Sequence, residues 1–104
     1  MVRRFEVYLL NVDESPEARD TRPCVIVSPD EMNKHLDSVI IAPVSTVTRE
    51  YPTRVPFEFL GGMRAVVLDQ IQTVAKSRLT KKIGDLDSPE RAATVAILQE
   101  IFAQ

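Results

Sequence analysis

Short apolar runs, separated by polar turn segments, recur along most of this chain and predict β-strands. Residues 38–44 are nearly all apolar and rich in β-branched side chains, which predicts a strand buried on both faces. Residues 53–59 alternate apolar and polar side chains, which predicts a strand with one face in water, and Pro56 places it at a sheet edge or a bulge. Further strands are predicted over residues 4–10, 24–28, 63–68 and 71–75.

The C-terminal segment carries the pattern of a long helix. Ser88 suits the N-cap, Pro89 suits the first turn, and Glu90 suits the positive end of the helix dipole. Apolar side chains then recur at helical spacing and predict a face that packs in the core or against a second protomer. That face comprises Val95, Leu98 and Phe102, widened by Ile97 and Ile101.

Turn signals separate these elements. Residues 13–21 are polar and predict a loop, and Gly61-Gly62 predicts a tight turn. A proline opens a short helix that is predicted within residues 30–36. Residues 77–87 are short and mixed, and Gly84 within them predicts another turn.

The order of these elements predicts a mainly β fold with one C-terminal helix. Short strands with turn signals about every ten residues are typical of a small, strongly bent sheet or a partly open barrel, here with a helix packed on it. The 104 residues contain no internal repeat, low-complexity stretch or composition boundary. A single domain over residues 1–104 is therefore expected.

Composition excludes several kinds of site. The chain has one histidine, His35, and one cysteine, Cys24, with no ligand-spaced cluster, so no metal or cofactor is expected and Ser-His-Asp and Cys-His catalysis are excluded. Cys24 lies in an apolar run and is predicted to be a small buried hydrophobe. The first residues lack an apolar signal core and no apolar run reaches membrane-spanning length, so a soluble, cytoplasmic protein without a membrane segment is expected.

Charge leaves a nucleic-acid partner open. The net charge of −2 does not indicate such a partner, but a local cluster of cations can act within a near-neutral whole. Arg22 is the first candidate, because Pro23 fixes the backbone that follows it and an apolar run comes next. A planar guanidinium on a rigid support suits a phosphate or a carboxylate. Taken alone, such a residue is more often a solvated surface arginine.

Segments along nearly the whole chain carry a family likeness, and they occur in the family's order. They are residues 8–13, Thr21-Arg22-Pro23, residues 39–43 followed by Ser45-Thr46, Tyr51-Pro52-Thr53-Arg54-Val55, Leu68-Asp69-Gln70-Ile71 and Lys76-Ser77-Arg78-Leu79. Together they strongly resemble the MazF/PemK toxins, the ribonuclease members of type II toxin–antitoxin modules. The resemblance implies an SH3-like barrel with a C-terminal helix, a homodimer, and cleavage of single-stranded RNA without metal. It also implies a co-encoded, MazE-like antitoxin whose extended tail lies across the RNA-binding surface.

The resemblance also assigns catalytic positions. Arg22 matches the catalytic arginine of the family's Arg-Pro pair, and Ser45 stands where the family has a catalytic threonine. Serine keeps the hydroxyl but lacks the methyl group that restricts its rotamer, so Thr46 is a second candidate for that role. Glu17 matches an acidic residue that the family often carries five positions before the arginine. Glu17 could accept the 2′-OH proton, and an ordinary solvated carboxylate is the alternative. The loop that holds it is about two residues shorter than usual and lacks the family's Gly-Ser.

Further positions are candidates for contacts with RNA. Tyr51 would either stack on a base or pack a loop. Gln70 belongs to this surface, and Gln72 stands nearby where many relatives have an arginine, which weakens the local positive charge. The candidate phosphate contacts, each of which is otherwise a plain surface charge, are Arg19, Arg49, Arg54 and Arg78.

Three functions remain open to such a chain. The first is an endoribonuclease toxin that cleaves mRNA by 2′-OH attack and inhibits translation and growth until an antitoxin covers it. The second is a CcdB-like gyrase inhibitor on the same barrel, but such proteins end in a Trp-bearing tripeptide, whereas this chain has no Trp and ends Phe102-Ala103-Gln104. The third is a catalytically silent homologue that binds an antitoxin and operator DNA, which the shortened loop and Ser45 keep open.

Overall fold

The computed structural model describes residues 1–13, 20–46 and 49–103. In this part of the chain, a seven-stranded antiparallel sheet is followed by one long helix. The strands are β1 (Glu6–Asn11), β2 (Thr21–Ile26), β3 (Ser38–Ser45), β4 (Arg54–Phe59), β5 (Gly62–Val67), β6 (Gln72–Ala75) and β7 (Leu79–Asp85). The helices are α1 (Asp30–His35) and α2 (Ser88–Phe102), with 3-10 turns at Leu68–Gln70 and Lys76–Arg78.

The sheet bends at β3, which pairs with different strands along its length. The strand order is β4-β5-β3-β2-β1-β7, and β6 also pairs with β3. The first half of β3 pairs with β6 between Ser38 and Ile41, and its end pairs with β5 at Val44 and Ser45. This arrangement makes a partly open barrel with a C-terminal helix, so the predicted mainly β fold is confirmed.

The two edges of the sheet, β4 and β7, approach one another at a glycine. A Cβ atom on Gly84 would lie 2.6 Å from a ring carbon of Phe59, so only glycine leaves room for that ring. Gly84 therefore lies inside β7 and not in the turn predicted for it. The prediction that Pro56 marks a sheet edge is confirmed, because β4 ends the strand order.

Two apolar clusters use opposite faces of the central strands. The larger one fills the barrel between the sheet and α2, and it includes Val25, Ala42 and Val66. The smaller one lies on the other face of β2 and β3 and includes Cys24, Ile26, Val39 and Ile41. Since alternate residues of β3 enter opposite clusters, the prediction that residues 38–44 are buried on both faces is confirmed.

Several predicted boundaries are wrong. Strand β1 begins at Glu6 and not at residue 4, because Phe5 has a φ of 74°, outside the strand region. Strand β2 begins at Thr21 and ends at Ile26, so Arg22 lies inside it and not ahead of it. Residues 79–85 form a strand that the mixed pattern did not predict, because β7 is an edge strand with an exposed, charged centre.

Helix α2 begins where expected, but its cap and its buried face differ from the prediction. The N-cap is Asp87 and not Ser88, which is the first helical residue. Thr94 is fully buried, and Ile97 and Leu98 pack against the larger cluster. The predicted face therefore packs in the core at Ile97 and Leu98, but its C-terminal end does not, since Phe102 is 70% exposed.

Candidate functional site

Arg22 is held by the paired backbone of β2 and directs its guanidinium to solvent. Its strand neighbour is Leu10 of β1, which belongs to the smaller apolar cluster. The Arg22 side chain is 71% exposed, and its Nη2 lies 3.8 Å from the Asp20 carboxylate. Because both groups are exposed, this ion pair contributes little to stability, and a phosphate could displace it at small cost.

Ser45 ends β3 on the neighbouring strand. The last pair between β2 and β3 joins Cys24 and Pro43. Arg22 lies two residues before Cys24 and Ser45 two residues after Pro43, so both side chains point to the same side of the sheet as that pair. Ser45 is half-buried, whereas Thr46 follows the strand and is exposed. The fold therefore brings the predicted guanidinium and hydroxyl to one face at one end of the sheet.

A cavity of about 290 Å³ opens beside Arg22. Arg78 and Gln72 also line it, and its apolar wall includes Leu10, Ile41 and Pro43. Two strands and the 3-10 turn before β7 thus contribute polar groups to one small opening. Its volume is near the lower end of the range for small-molecule sites.

Arg78 has a structural partner in addition to its place in this cavity. Its Nε and Nη2 donate hydrogen bonds of 3.0 and 2.9 Å to the carbonyl oxygen of Asn11, and Nη2 donates another of 2.7 Å to that of Val12. These bonds fix the chain as it leaves β1. The predicted phosphate contact at Arg78 remains a prediction, because the guanidinium already holds main-chain carbonyls.

A second, larger cavity of about 660 Å³ lies beyond Ser45 on the β4–β5 side. Arg49, Tyr51 and Arg54, which were predicted to contact RNA, all line it. Gln70 is exposed at the end of a 3-10 turn and is not among the residues that line either cavity. Predicted site residues Glu17 and Arg19 lie outside the described residues.

The larger cavity has an ordered basic edge. The Arg54 guanidinium lies 4.4 Å from the centre of the Tyr51 ring, and its Nε is 3.4 Å from the Asp69 carboxylate. The Thr53 hydroxyl donates a 3.0 Å hydrogen bond to the same carboxylate. Burial alone would raise the pKa of Asp69, but the hydrogen bonds from Thr53 and Arg54 outweigh it and lower that pKa below its ordinary value. Asp69 therefore stays ionised and holds Arg54 in place.

Cys24 lines the smaller cavity but does not provide a nucleophile. It is 1% exposed, and burial raises the pKa of its thiol to about 12. A thiol with this pKa stays protonated near neutral pH, and the thiolate is the reactive form. The prediction that Cys24 is a small buried hydrophobe is confirmed.

The described residues contain no group of His, Cys, Asp and Glu that could hold a metal ion. Among the same residues, no helix is long and apolar enough to cross a membrane. His35 is on the surface of α1, where its Nε2 lies 3.0 Å from the Glu31 carboxylate.

Comparison with known proteins decides the family. Residues 3–102 match the model of the PemK-like, MazF-like toxins of type II toxin–antitoxin systems. The chain belongs to this family. The Staphylococcus epidermidis protein named endoribonuclease MazF is 33% identical over 91 residues, which cover 80% of this chain and 76% of that protein. The match confirms the predicted resemblance to MazF/PemK toxins.

Solved structures of family members have the same fold. The Mycobacterium tuberculosis toxin MazF-mt6 is 25% identical and superposes with a TM-score of 0.78, over 93% of this chain and 95% of that one. A mycobacterial endoribonuclease in complex with its cognate antitoxin has a TM-score of 0.81 and 24% identity, with 96% and 93% of the two chains covered. The half-barrel with a C-terminal helix is thus the family's fold.

The sequence pattern did not reveal the floor of the larger cavity, which is formed by Pro56, Met63 and Ala65. No local motif marks these residues, since they meet only when β4 pairs with β5. The one signal was Met63, a large apolar residue directly after a glycine turn, where it is 56% exposed. Exposed apolar side chains beside a cavity often mark a binding surface.

Proposed function

We propose that this chain is the toxin of a type II toxin–antitoxin system and acts as a metal-independent, sequence-selective endoribonuclease on single-stranded mRNA. The observation that carries the proposal is the placement of Arg22 and Ser45 on the same side of neighbouring strands, with Arg22 beside a cavity of about 290 Å³. Membership of the toxin family supports it. The relatives named endoribonuclease support the reaction type.

The reaction uses a nucleophile that RNA carries itself. The ribose 2′-oxygen attacks the adjacent phosphorus, the bond from phosphorus to the 5′-oxygen breaks, and a 2′,3′-cyclic phosphate and a 5′-hydroxyl are formed. Protein groups must hold the attack in line and stabilise the charge that develops on the equatorial oxygens. DNA lacks the 2′-hydroxyl, so it is not a substrate.

Arg22 suits the charge-stabilising role. Its guanidinium is permanently charged and can donate to two phosphate oxygens at once. Its exposed side chain rises from a paired strand, so the backbone below it is fixed while the fork remains accessible. Ser45, or Thr46 beside it, donates a further hydrogen bond to the same phosphate. Glu17 is the proposed base for the 2′-hydroxyl proton.

The same surface suits an antitoxin. A mycobacterial relative is seen in complex with its cognate antitoxin, and a Deinococcus radiodurans relative as MazE–MazF. We propose that a MazE-like antitoxin presents carboxylates to Arg22 and the neighbouring arginines and so competes with RNA. A homodimer, operator-DNA binding by the toxin–antitoxin complex, and a cytoplasmic location complete the proposal.

The proposal is tested by incubating the purified protein with long single-stranded RNA in EDTA. Arg22→Ala is expected to lower cleavage about 10²–10³-fold, since it removes a charged donor from the transition state. Arg3→Ala is the matched control, because Arg3 is exposed and precedes the first residue of β1, at the end of that strand away from Arg22. Uncut RNA would overturn the nuclease proposal. Gyrase-dependent DNA breaks would then favour the inhibitor, and antitoxin binding alone would favour a silent homologue.

A further inference from the structure

One row of residues crosses four strands on the outer face of the sheet and connects the two cavities. Ser45 pairs with Ala65 of β5, and Ala65 pairs with Pro56 of β4. The pairs between β2 and β3 end at Cys24 and Pro43, with Arg22 two residues before Cys24 and Ser45 two residues after Pro43. Directly opposite residues share a face, as do residues two apart on a strand, so these four side chains point to the same side of the sheet. The smaller cavity lies at the Arg22 end and the larger one at the Pro56 end.

The larger cavity is large enough for one nucleotide, and it lies close enough to Ser45 to hold a nucleotide next to the cleaved bond. At about 660 Å³, it falls within the usual range of small-molecule sites. Neighbouring strands are about 4.8 Å apart, so Ala65 and Pro56 lie about one and two strand spacings from Ser45. A chain whose phosphate sits between Arg22 and Ser45 therefore reaches this cavity with its next residue.

The cavity's chemistry favours a base over other occupants. Its floor is apolar, with Pro56, Met63 and Ala65, and Met63 is 56% exposed. At its edge, Tyr51 keeps 42% of its surface exposed while Arg54 covers one face of its ring. Unpaired RNA bases stack on such aromatic and guanidinium planes, and arginines at the edge attract the phosphates.

The charge of the cavity agrees with this occupant. Among the described residues, its charged lining consists of Arg49, Arg54, Arg64 and the acid Glu50. Asp69 offsets part of the charge of Arg54 from outside the lining. Net positive charge remains beside an apolar floor, which complements a nucleotide: a flat apolar base attached to an anionic phosphate.

We propose that the larger cavity holds the base of one nucleotide next to the cleaved bond, and that Met63 is a specificity-determining residue. The inference rests on the proposed ribonuclease function and adds to it the site that selects a base. Met63 contacts the base with its flexible, polarisable side chain, while Tyr51 and Arg54 form the stacking edge. Arg22 and Ser45 act on the phosphate and are not involved in the choice of base.

The test combines Met63→Glu with abasic substrates. First, the wild type is assayed on a cleaved RNA in which each nucleotide around the cut is made abasic in turn. We expect the loss of one base near the cut to lower kcat/KM about tenfold, as removal of one stacked base does. Met63→Glu is expected to lower kcat/KM by a similar factor on intact RNA and to be insensitive to the abasic change at that position. Met63→Leu keeps an apolar side chain of similar volume, so it should lose less kcat/KM than Met63→Glu and stay sensitive to the abasic change.

Leu36→Glu is the matched control, because Leu36 is 47% exposed and lies at the end of α1, outside both cavities. It places the same charge on an exposed apolar position and should leave the abasic profile unchanged. Circular dichroism and light scattering check that Met63→Glu keeps its fold and its oligomeric state.

The outcomes separate this inference from the proposed function. If Met63→Glu and the abasic change each lower kcat/KM independently, so that the two factors multiply, the inference is overturned and the nuclease function stands. Weakened self-association or weakened binding of an acidic peptide, with an unchanged abasic profile, would assign the cavity to a protein partner and also overturn it. If the wild type cuts no RNA, fluorescence anisotropy measures its binding to the same oligonucleotides instead. Binding that Met63→Glu weakens about tenfold would support the base site, and equal binding or none would overturn it.

Discussion

Ser45 departs from the family pattern at a catalytic position, and its place in β3 shows how the change can be accommodated. It ends β3 in a pair with Ala65, so its backbone is fixed from one side even though its side chain lacks the β-methyl group. Thr46, one residue later, is exposed and outside the strand. The better-held hydroxyl is therefore the stronger candidate for the phosphate donor.

We expect Ser45→Ala to lower cleavage about 10²–10³-fold, as loss of a preorganised donor does, and Thr46→Ala to lower it less than about tenfold. Ser45→Thr should keep or raise activity, because the added methyl group restricts the hydroxyl rotamer. Single-turnover cleavage at saturating RNA measures these effects. A large loss in Thr46→Ala alone would move the role to Thr46.

The contribution of Asp69 to the stability of the fold is expected to depend on pH. Its pKa is lowered in the folded protein, so the stability it contributes is complete above its ordinary value of 3.8 and is lost as pH falls through the lowered value. We expect Asp69→Asn to be less stable than the wild type at neutral pH by under about 1 kcal/mol, because the Arg54 pair is partly exposed.

The difference should shrink as the pH falls below 3.8, and urea unfolding at several pH values measures it. Asp37→Asn, at an exposed position before β3, serves as the control. A difference that stays constant down to about pH 2 would show that Asp69 is not held by these hydrogen bonds.

At the scale of elements, the apolar pattern predicted the core strands and the edge strand β4, but it missed the other edge strand, β7. Strand β3 was evident because alternate residues serve two clusters, and α2 because its first turn has clear signals. Strand β7 was not, since an edge strand needs only a few apolar residues and carries charge at its centre. The start of β2 was missed because its first residues, Thr21 and Arg22, are polar.

The functional site was likewise predicted only in part from the sequence. Arg22 and Ser45 could be named from motifs, because each motif lies within a few residues of sequence. At the larger cavity, Arg49, Tyr51 and Arg54 were also named, but its apolar residues were not, since they come together only through the pairing of β4 with β5. Arg78 was named for RNA binding, but its bonds to Asn11 and Val12 depend on a contact across the fold.

The close contact between the edge strands β4 and β7 can be tested at Gly84. Gly84→Ala would set a Cβ atom 2.6 Å from the Phe59 ring, which must then move. We expect a loss of about 1–3 kcal/mol in the free energy of unfolding, typical of overpacking. Gly62→Ala is the matched control, because a Cβ there meets nothing within 4 Å. Equal losses in the two variants, measured by urea titration, would argue against a tight contact between β4 and β7.

For the molecule as a whole, the question is how a chain with a net charge of −2 binds an anionic polymer. The described structure gathers arginines on one face: Arg22 and Arg78 line the smaller cavity, and Arg49 and Arg54 line the larger one. Local potential, and not net charge, governs such binding. The composition therefore gave little guidance, since it averages over both faces.

We expect RNA binding to weaken steeply with salt, with log K falling by about 0.7 per log unit of salt for each phosphate contact. Arg49→Gln should reduce that slope by about 0.7, because Arg49 is exposed at the larger cavity. Anisotropy titrations with a non-cleavable oligonucleotide measure the slope. Arg3→Gln should leave it unchanged, and an unchanged slope in Arg49→Gln would remove Arg49 from the phosphate path.

The Arg78 guanidinium donates its hydrogen bonds at Asn11 and Val12 to main-chain carbonyl oxygens. Every amino acid supplies that oxygen, so evolution can exchange the side chains at both positions while the anchorage persists. Substitutions at Asn11 and Val12 can thus accumulate between homologues without loosening the end of β1, which pairs with Arg22 and its neighbours on β2.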